Sequence, residues 1–220
     1  MIATYSVPEM SPPEAALLET VLWEPDSGFF LLERHLARLQ ASAQALGFAV
    51  DVSRTREVLQ SLSETCANEA RRIRVTVARD GRVCARLDKV PPSSRLWVDW
   101  AVSPVDSRSG ALRHKTTERG LYERARAARP LVDESLLWNE RDEVTETTTG
   151  NVVAVIDGSS FTPPDSVGLL PGTYRGLLLE QGKLKLRVLS RADIERAERL
   201  YQINSVRKWC PLQLVRPAAA

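Results

Sequence analysis

The stretch RRIRVTVARDGRVCARLDKV, residues 71–90, decides the fold class. Ile73, Val75 and Val77 alternate with charged and hydroxylic residues, the period of a strand with one buried face. Asp80-Gly81 then suits a two-residue hairpin loop, where both central residues take positive φ. Working outward, the same grammar recurs. EAALLETVLW reads as a strand, Glu24-Pro25-Asp26-Ser27-Gly28 as a turn and GFFLL as the return. RLWVDWAV reads as a strand after Pro91-Pro92, SLLWNE and EVTETTT flank a turn at Arg141-Asp142, and NVVAVI runs into Asp157-Gly158. KLKLRVL reads as a strand, with RLYQINSV as the last one.

Helices fall between these hairpins. Leu32, Leu36, Leu39, Ala43 and Leu46 recur at helical spacing and end at Gly47. A second helix is expected over 53–67, with Val58, Leu62 and Cys66 on one face. A third contains Leu121, Ala125 and Ala128, a fourth spans 173–181, and Ser190 with Asp193 opens a short fifth. Hairpins with helices in small groups predict an α+β fold rather than a doubly wound parallel sheet. The glycine-bearing loop GLLPG lacks dinucleotide-fingerprint spacing. The polar, aperiodic residues 103–113 read as a linker between an N-terminal α/β domain, 1–102, and a C-terminal one, 114–220.

Composition narrows the function classes. Net charge is +2 with no dense basic block, so no nucleic-acid footprint is expected. Only five of the thirty basic side chains are lysines, and arginine's planar fork suits carboxylates and phosphates. Cys66, Cys84 and Cys210 are too scattered for a disulfide framework or zinc site, and His35 and His114 are the only histidines, so no metal site is expected. No apolar run reaches membrane-spanning length and MIATYSVPEM lacks the pattern of a secretory signal, so the expected compartment is the cytoplasm.

Four features could carry chemistry. Lys115 lies at an apparent loop-to-helix junction, whose positive helix end would depress its pKa; by spacing alone it reads rather as a surface lysine. Glu146, among threonines on a strand, could hold a ring-nitrogen proton in a cleft or face solvent. Pro171-Gly172 before a helix leaves backbone N–H groups at Thr173 and Tyr174, which suit an anion or an ordinary junction. Arg74 lies opposite the Ile73/Val75 face and could meet a phosphate as a forked donor, or be solvated.

The order of these features resembles the class IV aminotransferase family, the fold-type IV pyridoxal-phosphate proteins. Five separated blocks carry the resemblance: FFLLERHLARLQASAQALGF, RRIRVTV, LRHKTTERGLYERA, LLWNERDEVTETTTGNVV and TPPDSVGLLPGTYRGLLLE. Within the family, HKTT, TETTTGNVV and INSVR are most similar to 4-amino-4-deoxychorismate lyases, especially the lyase modules fused behind aminodeoxychorismate synthase components. The resemblance implies a pyridoxal 5'-phosphate cofactor in a cleft between two small α/β domains, a small-molecule substrate, a homodimer and a synthase partner. It implies Lys115 as the Schiff-base lysine and Glu146 at the pyridine nitrogen. Arg74, Thr173, Tyr174, Ser205 and Val206 would surround the cofactor phosphate, with Asn151 in support. Arg207 is a candidate for a substrate carboxylate.

The implied reaction is release of 4-aminobenzoate and pyruvate from aminodeoxychorismate, a folate-precursor step. The alternatives are a transaminase acting on branched-chain or D-amino acids, and a non-catalytic relative. The chain departs from the family at three places. The opening strand and glycine-bearing turn are not legible before Leu17, Lys208 stands where lyase-like sequences often have glycine, and Tyr174 replaces a smaller hydroxyl residue.

Overall fold

The computed structural model describes residues 15–66 and 68–215. It is an α+β fold built on two sheets. The first has the order β2-β1-β3-β4, made of β1 (Leu17–Glu24), β2 (Gly28–Phe29), β3 (Arg71–Val77) and β4 (Val83–Lys89). The decisive stretch forms the β3–β4 hairpin, with a longer loop than the sequence predicts. Arg79-Asp80-Gly81 lie between Ala78 and Arg82, whose N–H and C=O pair at 2.9 Å. Gly81 alone takes positive φ, the pattern of a three-residue loop.

Helix α1 (Leu32–Leu46) packs Leu36, Leu39 and Ala43 against Leu17 and Val77. It stops at Gly47, whose left-handed backbone donates to Ala43. Helix α2 (Val52–Ser63) starts at the Asp51 cap and ends earlier than expected, leaving Cys66 beyond it; Ala67, the expected end, lies outside the described residues. Its apolar face is turned by one residue from the expected one. Leu59 and Leu62 join Ile73 and Val75, whereas Val58 is only half-buried.

The second sheet contains β5 (Leu96–Trp100), β6 (Glu134–Trp138), β7 (Val144–Thr147), β8 (Asn151–Ile156), β9 (Ser159–Thr162), β10 (Lys185–Leu186), β11 (Arg199–Asn204) and β12 (Lys208–Leu214). Its order is β10-β9-β8-β11-β12-β5-β6-β7, and β7 also pairs with β8 at Glu146↔Asn151, so the sheet closes on itself. Strand β5 pairs in parallel with β12 and β6. The division between sheets therefore falls between Lys89 and Leu96, ahead of the linker expected at 103–113. RLYQINSV is not the last strand either. Asn204 ends β11, Ser205 and Val206 turn the chain, and β12 returns with Pro211 inside it. Strand β5 begins pairing only at Leu212, so Pro211 costs no ladder bond on that edge.

Helix α3 (Gly120–Ala127) lies over β6, α4 (Thr173–Glu180) over β11, and α5 (Arg191–Arg196) beside β8, opened by the expected Ser190/Asp193 capping box. Of KLKLRVL only Lys185–Leu186 is strand.

The first sheet is tied to the β5–β6 connection of the second. Leu18 N–H donates to Lys115 O at 2.9 Å, Thr117 N–H to Ala16 O at 2.8 Å, and Leu17 bridges to Thr116. A cavity opens where the two sheets meet.

Candidate active site

The cavity measures about 240 Å³ and draws its walls from both sheets. Every residue singled out from the sequence reaches it except Tyr174. The Tyr174 side chain is buried away from it, edge-on to Phe30 at 5.6 Å.

Lys115 lines the cavity and is half-buried, not a surface lysine. Its backbone is pinned by Leu18, and the preceding His114 holds Ser42 of α1 through Nδ1 at 3.0 Å. The expected helix-end effect on Lys115 is not what the structure shows, since α3 starts only at Gly120. Burial instead lowers its pKa to about 8; Arg38 adds to this, and Glu19 and Glu146 oppose it. A larger share of the amine is therefore neutral near physiological pH than for a free lysine.

Glu146, at 3% exposure, sits at the end of β7. Burial raises its pKa to about 7 against the pull of four neighbours: Tyr122, Leu170 N–H, Lys115 and Arg119. Oε1 accepts from the Tyr122 hydroxyl at 2.9 Å and from Leu170 N–H at 3.2 Å. Among the described residues Oε2 has only a long 3.5 Å contact to Asn151 Nδ2. Asn151 chiefly donates to Leu170 O at 2.8 Å, which joins β8 to the loop before α4.

The start of α4 forms another wall. Gly172 precedes the helix without a side-chain cap, so the first N–H groups, at Thr173 and Tyr174, have no helical acceptor. A Cβ on Gly172 would meet Asn151 Oδ1 at 2.1 Å, so only glycine fits this approach. Arg38 stands at the same place. It donates to Pro171 O at 3.1 Å and grips Glu19 through two bonds of 2.8 and 2.7 Å. His35 links Glu19, at 2.7 Å, to the Thr173 hydroxyl at 3.3 Å. Burial would raise the Glu19 pKa, but Arg38 and His35 outweigh it and hold the carboxyl far below its usual range. Burial pushes the His35 pKa down, which keeps the ring neutral.

Opposite lies a group of arginines. The Arg74 side chain makes no hydrogen bond or ion pair among the described residues, and Arg72 Nε is buried without a partner there. Burial, then Arg86, Arg119 and Arg72, lower the pKa of Arg74. Arg119 is held by Thr148 O and lies over the Tyr122 ring.

The last wall pairs two turns. Thr148 and Thr149 bind the buried Glu134 through their hydroxyls. Arg207 reaches Gln202 Oε1 at 2.9 Å and Thr149 Oγ1 at 3.3 Å. The Val206 N–H is taken by Asn204 Oδ1 at 3.0 Å, and the Ser205 hydroxyl lies 3.4 Å from Thr20 O.

Sequence reasoning passed over Arg38, Arg119 and Tyr122. For Arg38 a signal existed. His35, Arg38 and Ser42 fall at helical spacing beside the apolar stripe of α1, so one edge of a buried face is polar. Tyr122 stood between the apolar residues used to recognise α3, and nothing local set it apart.

The donor set fits pyridoxal 5'-phosphate: an amine of depressed pKa, a buried carboxylate with one free oxygen, and a glycine-lined helix start beside an arginine. Comparisons agree. The profile of the family described as Amino-transferase class IV matches residues 16–215. A Schizosaccharomyces pombe protein with the provisional name aminodeoxychorismate lyase is 31% identical over 215 residues, covering 90% of this chain and 88% of that protein. A Mesorhizobium loti structure provisionally named an amino-acid aminotransferase is 39% identical with a TM-score of 0.86, covering 92% of this chain and 100% of that one. The 4-amino-4-deoxychorismate lyase of Pseudomonas aeruginosa, at 22% identity, 93% and 86% coverage and a TM-score of 0.75, shares the fold. The chain belongs to the class IV aminotransferases, a pyridoxal-phosphate-dependent enzyme family of lyases and transaminases.

Proposed function

We propose that the protein is a 4-amino-4-deoxychorismate lyase that releases 4-aminobenzoate and pyruvate, with Lys115 as the cofactor-bearing and proton-transferring residue. One observation carries the reading: Lys115 and the buried Glu146 line one cavity with the free start of α4. When bound, the cofactor supplies an electron sink for the carbon that bears the substrate's amine.

The chain's own residues supply the rest. Lys115 would hold the cofactor, and its free amine is a base whose pKa of about 8 suits proton abstraction near neutrality. Glu146 offers Oε2 to the ring-nitrogen proton. Arg38, fixed beside α4 by Pro171 O and Glu19 with further guanidinium N–H groups left over, joins the N–H groups and hydroxyl at the start of α4 in taking the phosphate. Arg74, expected at the phosphate, is better suited to a substrate carboxylate, since it lies among Arg72, Arg86 and Arg119 and the opposing charge near it, Asp88, is paired with Arg72 and Arg86. Arg207, expected to bind that carboxylate, is committed to Gln202 and Thr149 and supports the wall instead. Ser205 and Val206 support the same turn, and Asn151 spaces the α4 loop from β8.

Two observations bear on lyase against transaminase. The arginine group suits a substrate with two carboxylates, as aminodeoxychorismate has, and the yeast relative's name agrees. The Mesorhizobium relative's name favours an amino-acid aminotransferase. The proposal includes a homodimer and an aminodeoxychorismate synthase partner. The exposed apolar side chains of Trp97 and Leu131 support a covered surface.

The test supplies aminodeoxychorismate and cofactor and follows 4-aminobenzoate and pyruvate. Equimolar products are expected, falling roughly a thousandfold or more in Lys115→Ala. No product, together with amine exchange that depends on a keto acid, overturns the lyase reading in favour of the transaminase.

A further inference from the structure

Glu146 is approached from four elements, and the approach is lopsided. Tyr122 from α3 and Leu170 from the loop before α4 both donate to Oε1. Lys115 and Arg119, on the connection between β5 and β6, act on the carboxylate only through their charge. Asn151 from β8 touches Oε2 at 3.5 Å, too long to hold it.

A carboxylate able to rotate could aim either oxygen into the cavity. Two donors on one oxygen remove that freedom and leave the other oxygen's lone pairs open. The Leu170 N–H is a fixed backbone group on a loop. Tyr122 is the side chain that makes the arrangement, and it is itself fixed. Its ring packs with Leu121, Ala125 and Trp138 around Leu112 and Leu137, and Arg119 covers it at 4.6 Å. Burial, and then Glu146 itself, raise the Tyr122 pKa, so the phenol stays protonated and can only donate here.

We propose that Tyr122 is a positioning residue of the cofactor site, whose hydroxyl fixes Glu146 Oε1 so that Oε2 meets the cofactor's ring nitrogen. The proposal rests on the reading that Glu146 faces that nitrogen. It adds that Glu146 needs Tyr122 both for its orientation and for enough acidity to hold its partner as a protonated ring. Losing the donor leaves the buried carboxylate with one fewer hydrogen bond. That favours its neutral form, which cannot accept the ring proton.

Tyr122→Phe keeps the ring and its packing and removes only the donor. Two readouts separate this role from a structural one. In cofactor-free protein carrying 13C-labelled glutamate, the Glu146 signal (identified by its loss in Glu146→Gln) reports the carboxyl titration. Its midpoint is expected to rise by about 1–2 pH units in Tyr122→Phe, the size of a hydrogen bond to a charged group. In protein loaded with ring-15N pyridoxal phosphate, the nitrogen signal at neutral pH is expected to move from the protonated position in the wild type towards the unprotonated one in the variant. Unchanged midpoint and nitrogen signals overturn the proposal, even if melting temperature or activity falls. A wild-type protein that loads no cofactor overturns the cofactor reading itself. A loaded wild type with an indifferent Tyr122→Phe overturns the role of Tyr122 alone.

Discussion

Lys115 and Glu146 are each tuned by burial, in opposite directions and with separate consequences. Lysine attacks the cofactor aldehyde only as the neutral amine. With its pKa near 8, the rate of cofactor uptake by the stripped protein should rise with pH and level off above about 8. Stopped-flow absorbance checks this; a rise that continues to the ordinary lysine range would contradict it. Glu146 has a folded pKa of about 7 against an ordinary 4.5, so its neutral form is the one the fold favours. As pH rises from 4.5 towards 7 the unfolded chain ionises first, and stability falls across that window. Above it the cofactor-free protein carries a cost of up to about 3 kcal/mol. Glu146→Gln should therefore melt higher than the wild type at pH 8, with the difference vanishing near pH 4, while losing cofactor affinity. At this scale the candidacy of Lys115 and Glu146 came from the resemblance of the blocks around them, since spacing alone left both readable as solvent-facing side chains. The sequence was not legible where a side chain arrives from elsewhere. Arg38 reaches Pro171 across 133 positions, and no local pattern shows that meeting.

Among the elements, the two turns that shape the cavity have strict steric terms. Gly172 admits Asn151 because it has no Cβ. Gly172→Ala should destabilise the protein by about 1–3 kcal/mol and weaken cofactor binding, since the start of α4 must move. Thermal melts with and without cofactor measure both, and adding Asn151→Ala should recover part of the stability by removing the clashing oxygen. Lys208 has φ 59, the left-handed region that glycine favours, so the lysine here holds a strained backbone. Its ammonium answers Glu24 and lies over Phe30, tying β12 to the first sheet. Hairpins with strong turn signals, such as Asp157-Gly158 with both φ values positive, could be read directly. Strand β12 could not, because Pro211 interrupts its pattern and its tolerance depends on where β5 begins. The face of α2 was missed for a related reason: Thr55 is buried there, and a hydroxyl residue does not announce an inward face.

For the whole molecule, the cavity exists only because two sheets meet. Leu18–Lys115, Thr117–Ala16 and Arg38–Pro171 all cross that junction. The two sheets should therefore unfold together, with far-ultraviolet and tryptophan signals coincident in denaturant, and saturating cofactor should raise the midpoint because it binds the folded junction. Two separated transitions would contradict this. The α+β class followed from counting hairpins, whereas the closure of the second sheet rests on pairings such as Val98↔Glu134 and Glu146↔Asn151. The parallel neighbours of β5 are distant in sequence, so RLWVDWAV could not be assigned to its sheet in advance.

All three scales converge on Lys115. Reduction of the cofactor-loaded protein with borohydride, followed by proteolysis and mass spectrometry, would fix the cofactor to whichever lysine carries it. The account expects the pyridoxyl group on the peptide containing Lys115 and no other, with the visible absorbance band lost in Lys115→Ala. A label on Lys89, Lys183, Lys185 or Lys208, or no label at all, would contradict it.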